Sequence, residues 1–204
     1  IINQTPDSFS DGGKYYQQID KIIEELEPAL AAGVSIIDVG AESTRPGAKA
    51  LNSTQEIKRL EPLLVVLNQL KSCYSFKLSL DSFRAETLLH FLPYLDIIND
   101  VSGKLDSDCL RQIKDAGKSY AFMHSLTIPA NPQIVLDANC DPCVEILQWA
   151  ESKLEQLLSL GFIHNQLICD PGIGFNKTAA QSWYLLRNIS RLQNLDVELL
   201  VGHS

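Results

Sequence analysis

Short apolar runs alternate along the chain with longer segments in which apolar residues recur every three or four positions. The first pattern is typical of strands buried on both faces, and the second is typical of amphipathic helices. The runs predict seven strands, at residues 1–3, 34–39, 76–80, 95–98, 119–123, 167–169 and 198–201. The helical spacing predicts helices over residues 16–32, 53–67, 84–92, 106–116, 142–160 and 178–192.

Local signals mark where some of these helices begin or bend. Ser53 with Glu56 has the spacing of a capping box, ahead of a run of leucines. Asp141 followed by Pro142 predicts an N-cap with proline at the first helical position. Pro28 falls inside the first helical pattern, where a proline should kink or interrupt the helix.

Strands joined by helical crossovers leave two architectures, an open doubly wound sheet and a (β/α)8 barrel. In a doubly wound sheet only the loops near the switch point carry functional groups. Here polar residues lie at or near the ends of almost all the strands, namely Asn3, Asp38, Asp81, Asn99, His124, Asp170 and His203. We therefore expect an α/β fold, a (β/α)8 TIM barrel forming one domain over residues 1–204. It would lack the start of strand 1 and the last helix, strand and helix.

Composition narrows the function classes. The net charge is −8 and no cluster of lysine and arginine is present, so nucleic acid is not an expected partner. No apolar run approaches the ~20 residues of a membrane-spanning helix. The five cysteines are scattered, which argues against a secreted disulfide framework and favours a cytoplasmic location. Cys140 and Cys143 form an isolated CxxC pair, interpreted as reduced thiols with a redox site as the alternative.

A first polar loop follows the first strand. Asn3 could ligate Mg²⁺ through its amide oxygen, although an asparagine at this point can also simply form a turn. The residues after it include Asp7, Phe9 and Asp11 among serine, proline and glycine. A loop of this composition could close over a ligand.

A second polar loop places Arg45 between Thr44 and Pro46, after a buried strand. The planar guanidinium suits a carboxylate or a phosphate, whereas the alternative is an ordinary solvated arginine. Because proline and glycine stiffen this loop, we expect Arg45 to bind a ligand.

Three acceptor-bearing side chains, Asp81, Asn99 and Asp170, follow the third, fourth and sixth strands. If they converge, they could accept hydrogen bonds from a ligand edge that presents N–H donors, on which each unmatched group would cost about 1–3 kcal/mol. Helix capping is the alternative role, above all for Asp81. Met123 and Val101 could pack on the faces of a flat ring, or could belong to the core.

The segment from Asp170 to Thr178 contains glycines that allow a ligand to approach the backbone closely. It is not a dinucleotide fingerprint, because the third glycine is missing, and Gly174 lies too near Lys177 for a Walker loop. Lys177 is nonetheless a candidate for local positive charge in an acidic chain.

Five ordered motifs resemble those of the dihydropteroate synthases, the folate-pathway members of the pterin-binding enzymes. They are Asn-x-Thr-Pro-Asp-Ser-Phe-Ser-Asp-Gly-Gly from residue 3, Glu-Ser-Thr-Arg-Pro-Gly from 42, Asn-Asp-Val-Ser-Gly from 99, Met-His from 123 and Asp-Pro-Gly-Ile-Gly-Phe from 170. The resemblance implies a (β/α)8 barrel, usually a homodimer, that joins dihydropterin pyrophosphate to p-aminobenzoate with Mg²⁺ and releases pyrophosphate. Sulfonamides mimic p-aminobenzoate in this family.

The same resemblance implies roles for residues of this sequence. Asn3 would hold Mg²⁺ against the pyrophosphate. The pterin pocket would be formed by Asp81, Asn99, Val101, Met123 and Asp170. The two loops and the wall beside the p-aminobenzoate ring would be formed by Asp7, Phe9, Asp11, Thr44, Arg45, Pro46 and Phe175. The catalytic residues would be Asp81, Asp11 and Arg45.

The sequence departs from the family pattern after the seventh strand. There the family has a Ser-Arg-Lys type segment and, at the end of the eighth strand, an arginine and a histidine, whereas this sequence stops at residue 204. We interpret this as a truncation. Two other functions would share the acceptor set: a corrinoid-linked methyltransferase, which would not need the first two loops, and a non-catalytic pterin-binding paralogue.

Overall fold

A computed structural model describes residues 1–4, 14–42 and 51–202 of the chain. Strands and helices alternate through these ranges, as the apolar pattern predicted. The strands are β1 (Ile2–Asn3), β2 (Ile36–Gly40), β3 (Lys77–Asp81), β4 (Ile97–Asp100), β5 (Ser119–Met123), β6 (Leu167–Asp170) and β7 (Glu198–Leu199). The α-helices are α1 (Lys14–Ala31), α2 (Ser53–Leu70), α3 (Ala85–Phe91), α4 (Ser107–Asp115), α5 (Pro142–Ser159) and α6 (Ala179–Arg187).

The strands form one sheet whose order follows the chain, from β1 to β7. Each pairs with the next in parallel, so the described sheet contains no switch point at which a doubly wound order would reverse. This winding is that of a barrel, and it brings the carboxyl ends of all the strands to one edge.

Alternate strand residues lie on two different apolar faces. Ile37, Leu80 and Phe122 belong to the large core between the strands and the helices. A small separate cluster of Ile97, Ala121 and Ile168 lies on the other face, inside the curve of the sheet. Side chains two positions further along the same strands therefore point into this interior, at its carboxyl-terminal end.

The N-cap of α2 lies one residue earlier than predicted. Asn52 is the N-cap: its Oδ1 accepts from the Gln55 N–H at 2.9 Å, and the Gln55 side chain accepts from the Asn52 N–H at 3.1 Å. The predicted capping box of Ser53 and Glu56 is wrong, because asparagine one residue earlier serves equally well as a cap. Glu56 is instead buried and accepts a 2.5 Å hydrogen bond from the Thr87 hydroxyl.

Two further helix expectations change. Pro28 does not interrupt α1, which continues to Ala31, because the proline lies in its last turn, where little helix follows. The helix predicted over 178–192 ends at Arg187 and is followed by a 3₁₀ segment, Ile189–Leu195. The Asp141 cap is confirmed, since its Oδ1 accepts from the N–H groups of the first turn of α5.

The five cysteines are free thiols, as predicted, and Cys143 is buried in the first turn of α5. Within the described ranges no helix is long and apolar enough to cross a membrane.

Candidate active site

Four consecutive strands place their ends in register at one edge. Asn3 pairs with Gly40, Gly40 with Asp81, and Asp81 with Asn99. A Cβ atom on Gly40 would lie 3.1 Å from Asn3 Oδ1 and 3.6 Å from Asp81 Oδ2. Both oxygens therefore lie close to the position that a side chain at residue 40 would occupy, which glycine leaves vacant.

Asp38, which the sequence analysis named only as a polar residue near the end of a strand, contacts two side chains of the site. It lies within β2 and accepts a 2.5 Å hydrogen bond from the Ser79 hydroxyl. The Asn99 amide nitrogen lies 3.4 and 3.3 Å from its two carboxylate oxygens. Because the side-chain N–H groups of Asn99 donate to Asp38, the side-chain carbonyl oxygen of Asn99 remains available to accept from a ligand. The available signal was an aspartate inside an otherwise apolar strand.

Asp170 ends β6 and is buried. Its Oδ1 accepts a 2.7 Å hydrogen bond from the Gly172 N–H. Burial raises the pKa of Asp170 to about 6, and the charge of Asp38 adds to the rise, while the Gly172 N–H and the Lys177 charge oppose it.

Asp81 shares the same acidic environment. Burial raises its pKa well above the ordinary value, and the charges of Asp38, Glu56, Asp100 and Asp170 raise it further. The alternative capping role is not observed, because the N-cap of α3 is Arg84. Closely spaced carboxyl groups of this kind favour a ligand that brings N–H donors or positive charge.

Lys177, the candidate for local positive charge, lies inside the protein. It is buried, and its Nζ lies 2.9 Å from the carbonyl oxygens of both Gly172 and Phe175 and 3.1 Å from His124 Nδ1. Burial lowers the pKa of Lys177 to about 7. Burial, followed by the charge of Lys177, lowers the pKa of His124 to about 3, so the imidazole is neutral and Nδ1 accepts from the lysine.

The remaining pocket residues lie near these groups. Met123 is the register partner of Asp170, and both Met123 and Val101 are buried. Phe175 is half-buried in the loop after β6. Burial agrees with the ring-face role and with the core role alike, so both interpretations of Met123 and Val101 stay open.

Six predicted site residues lie outside the described residues: Asp7, Phe9, Asp11, Thr44, Arg45 and Pro46. The structure does show what precedes their loops. Arg59 donates to the carbonyl oxygens of Ala41 at 2.8 Å and Gln4 at 3.4 Å, and Arg84 donates to Glu42 at 2.7 Å. Arg59 of α2 therefore joins the ends of β1 and β2, and Arg84 holds the residue that follows the end of β2. The sequence indicated neither role.

The family model described as "Pterin binding enzyme" matches residues 1–204, the whole chain. The chain belongs to the pterin-binding enzyme family. The resemblance to dihydropteroate synthases that the motifs predicted is thereby supported over its full length.

Relatives of this pterin-binding enzyme make the comparison more specific. It is 36% identical over 211 residues to a folate synthesis bifunctional protein of Chlamydia muridarum, covering 100% of this chain and 46% of the relative. It is 34% identical over 206 residues to a dihydropteroate synthase of Synechocystis sp., covering 100% of this chain and 70% of the relative. The chain thus spans less than half the length of the bifunctional relative.

The fold also matches solved structures. A dihydropteroate synthase from Clostridium difficile, crystallised in the presence of pteroic acid, superimposes with a TM-score of 0.83 at 29% identity. The match covers 100% of this chain and 74% of that structure. The confirmed resemblance and the sequential strand order together establish the predicted TIM-barrel type of fold.

Replacing Asp170 with asparagine should stabilise this pterin-binding enzyme at neutral pH. The folded-state pKa of about 6 exceeds the ordinary 3.8. The free energy of unfolding of the wild type therefore loses the contribution of this group as the pH rises from about 4 through 6. D170N removes this loss, and its amide oxygen can still accept from Gly172. We expect its free energy of unfolding to exceed the wild-type value by on the order of 2 kcal/mol at pH 7, with little difference at pH 3.5.

Urea unfolding at both pH values measures this effect. The exposed Asp108, changed to asparagine, is the matched control and should leave the pH dependence unaltered. Parallel pH curves for wild type and D170N would contradict a destabilising buried carboxylate.

Proposed function

We propose that this protein is a dihydropteroate synthase. It would join 6-hydroxymethyl-7,8-dihydropterin pyrophosphate to p-aminobenzoate, giving 7,8-dihydropteroate and pyrophosphate, a transferase step of folate biosynthesis. The observation that carries the proposal is the set of acceptors at one barrel edge, Asp81, Asn99 and Asp170, with Asn3 facing the same space as Asp81.

Recognition of the pterin follows from the acceptors. An aminopyrimidinone edge presents N–H groups in one plane, and the free oxygens of Asn99 and Asp170 can accept from them. A ligand without these donors would leave buried acceptors unpaired, at a cost of about 1–3 kcal/mol for each group. The flat ring would lie against Met123 and Val101.

The proposed reaction requires the protein to stabilise a developing positive charge, and it requires no covalent nucleophile from the protein. When the C–O bond to pyrophosphate breaks, the bonding electrons leave with the pyrophosphate, and the methylene carbon becomes a cation conjugated with the pterin. The arylamine nitrogen then attacks that carbon and loses a proton to solvent. In its ionised form, Asp81 would stabilise the cation electrostatically.

The residues present fit a magnesium ion. Asn3 Oδ1 faces the space over Gly40, beside Asp81, and Mg²⁺ is commonly bound through one or two protein oxygens together with substrate phosphates and water. Asn3 would hold the ion against the pyrophosphate. When bound, the ion would neutralise charge developing on the departing pyrophosphate.

The other parts of the proposal rest on the motifs. Arg45, with Thr44 and Pro46, would hold the carboxylate of p-aminobenzoate, and Phe175 would flank its ring. Asp7, Phe9 and Asp11 would come from the first loop, with Asp11 taking part in catalysis. We also propose a cytoplasmic homodimer: the free cysteines support the location, and the exposed aromatic pair Trp183 and Tyr184 on α6 supports an interface.

Pyrophosphate release by the full-length protein tests this function. The protein is mixed with dihydropterin pyrophosphate and Mg²⁺, with and without p-aminobenzoate. We expect release that depends on p-aminobenzoate and is matched by dihydropteroate in equal amount. Tight pterin binding without product would instead indicate a binding-only paralogue or a methyltransferase.

A further inference from the structure

The amine of Lys177 is committed to partners inside the protein. The side chain is only 7% exposed. Besides the carbonyl oxygens of Gly172 and Phe175 and the Nδ1 of His124, the His124 carbonyl oxygen lies 3.4 Å from Nζ. A lysine on a solvated loop would keep its charged end in water. Here the amine instead joins the loop after β6 to the end of β5.

A short chain of hydrogen bonds links this amine to the acceptor set. The Gly172 carbonyl accepts from Lys177, and the N–H of the same glycine donates to Asp170 Oδ1 at 2.7 Å. The backbone carbonyl of Asp170 accepts from the His124 N–H at 2.9 Å. Lys177 therefore bonds to the same glycine whose N–H orients the Asp170 carboxylate.

Gly172 shows independently how closely the two segments approach. Its φ is +67°, and a Cβ atom at this position would lie 2.1 Å from the His124 carbonyl oxygen and 3.2 Å from Lys177 Nζ. Several carbonyl oxygens thus face one small volume. A hydrogen-bond donor at their centre offsets the repulsion between these dipoles, which an apolar side chain could not do.

We propose that Lys177 is a positioning residue that fixes the backbone of Gly172 and, through it, aims the Asp170 carboxylate at the pterin. Because the Gly172 N–H occupies Oδ1, Oδ2 is the oxygen left for the ligand. The bond to the Phe175 carbonyl also sets the wall beside the second substrate. The inference deepens the proposed function and depends on it only for the identity of the ligand.

Hydrogen exchange in the full-length protein tests the first half of the inference without any ligand. Lys177→Met keeps the length of the side chain but removes its donors. We expect the Gly172 amide to exchange at least about tenfold faster in K177M, with unchanged exchange in the central strands. The control is Lys153→Met, which removes a partly buried lysine of α5 whose Nζ bonds Gln156, and should change nothing at Gly172.

A double-mutant cycle on pterin binding tests the second half. We expect K177M to raise the pterin Kd about tenfold, the effect of losing one well-aligned bond to a charged group. If Lys177 acts through Asp170, the double variant K177M/D170N should bind no more weakly than D170N alone. Losses that multiply in the double variant would overturn the proposal, because they would mean general loosening of the pocket.

The same two experiments also cover a K177M variant that does not fold and a wild type that binds no pterin. If K177M does not fold, Lys177→Gln, whose shorter side chain keeps a donor amide, replaces it, and the Gly172 amide should still exchange faster than in the wild type. Unchanged exchange there would refute the inference. If the wild type binds no pterin, the proposed function fails, while the exchange at Gly172 still decides whether Lys177 holds the loop.

Discussion

Changing Asp81 to asparagine should lower kcat by about 10²-fold, the size expected when one electrostatic stabiliser of the transition state is removed. Asparagine keeps the shape of the side chain and one acceptor oxygen, but it carries no charge. The pterin edge could still be bound, so the Kd for the pterin substrate should rise only a few-fold. Single-turnover kinetics and calorimetric titration measure the two quantities separately.

The pH dependence gives this prediction a second, independent check. Burial and the neighbouring carboxylates raise the pKa of Asp81 well above the ordinary value. Lowering the pH therefore protonates Asp81 and should remove the stabilising charge, so wild-type kcat should fall as the pH falls through that pKa. D81N has no such group to titrate, and its residual kcat should lack this acid limb.

The matched control is Asp115→Asn, an exposed carboxylate at the end of α4, which should leave kcat and its pH profile unchanged. Equal losses of kcat and of pterin affinity in D81N would contradict an electrostatic role. In that case Asp81 would act in binding alone.

The apolar pattern predicted the strands well because burial on both faces forces nearly continuous apolar sequence. It also predicted that polar side chains meet at one edge, since polar residues directly after such strands must lie at the carboxyl edge of a parallel sheet. Asp81, Asn99 and Asp170 could therefore be found from sequence alone. What the pattern could not supply was the direction of each hydrogen bond, such as the inward donation of Asn99 to Asp38.

Hydrogen bonds between segments that are distant in sequence could not be predicted. Asn176 illustrates this, because its side-chain oxygen accepts from Ser125, Leu126 and Thr127, some fifty residues earlier, and so orders part of the loop that follows β5. Its φ of +50° is tolerated by asparagine, but nothing in the local sequence predicts this backbone conformation. Lys177 was misjudged for the same reason, since a lysine in a glycine-containing loop gives no sign that its partners are buried carbonyls.

Changing Gly172 to alanine should disable pterin binding, whereas the same change two residues later should be tolerated. The two glycines share one loop and have similar positive φ angles, +67° and +82°. A Cβ on Gly172 would lie 2.1 Å from the His124 carbonyl oxygen, while a Cβ on Gly174 would meet no atom within 4 Å among the described residues. Both alanines carry the same left-handed strain, about 1–2 kcal/mol, so their difference isolates the collision.

The collision is with backbone, so side-chain rotation cannot relieve it. The loop must move away from β5, and the Gly172 N–H must then leave Asp170 Oδ1. We expect the pterin Kd of G172A to exceed that of G174A by at least about tenfold, and its free energy of unfolding to be lower by ~2 kcal/mol or more. Calorimetric titration and urea unfolding of the two variants measure both differences. If G172A and G174A behaved alike, the close approach of the two segments would not matter for the pocket, and Asp170 would have to be oriented by some other contact.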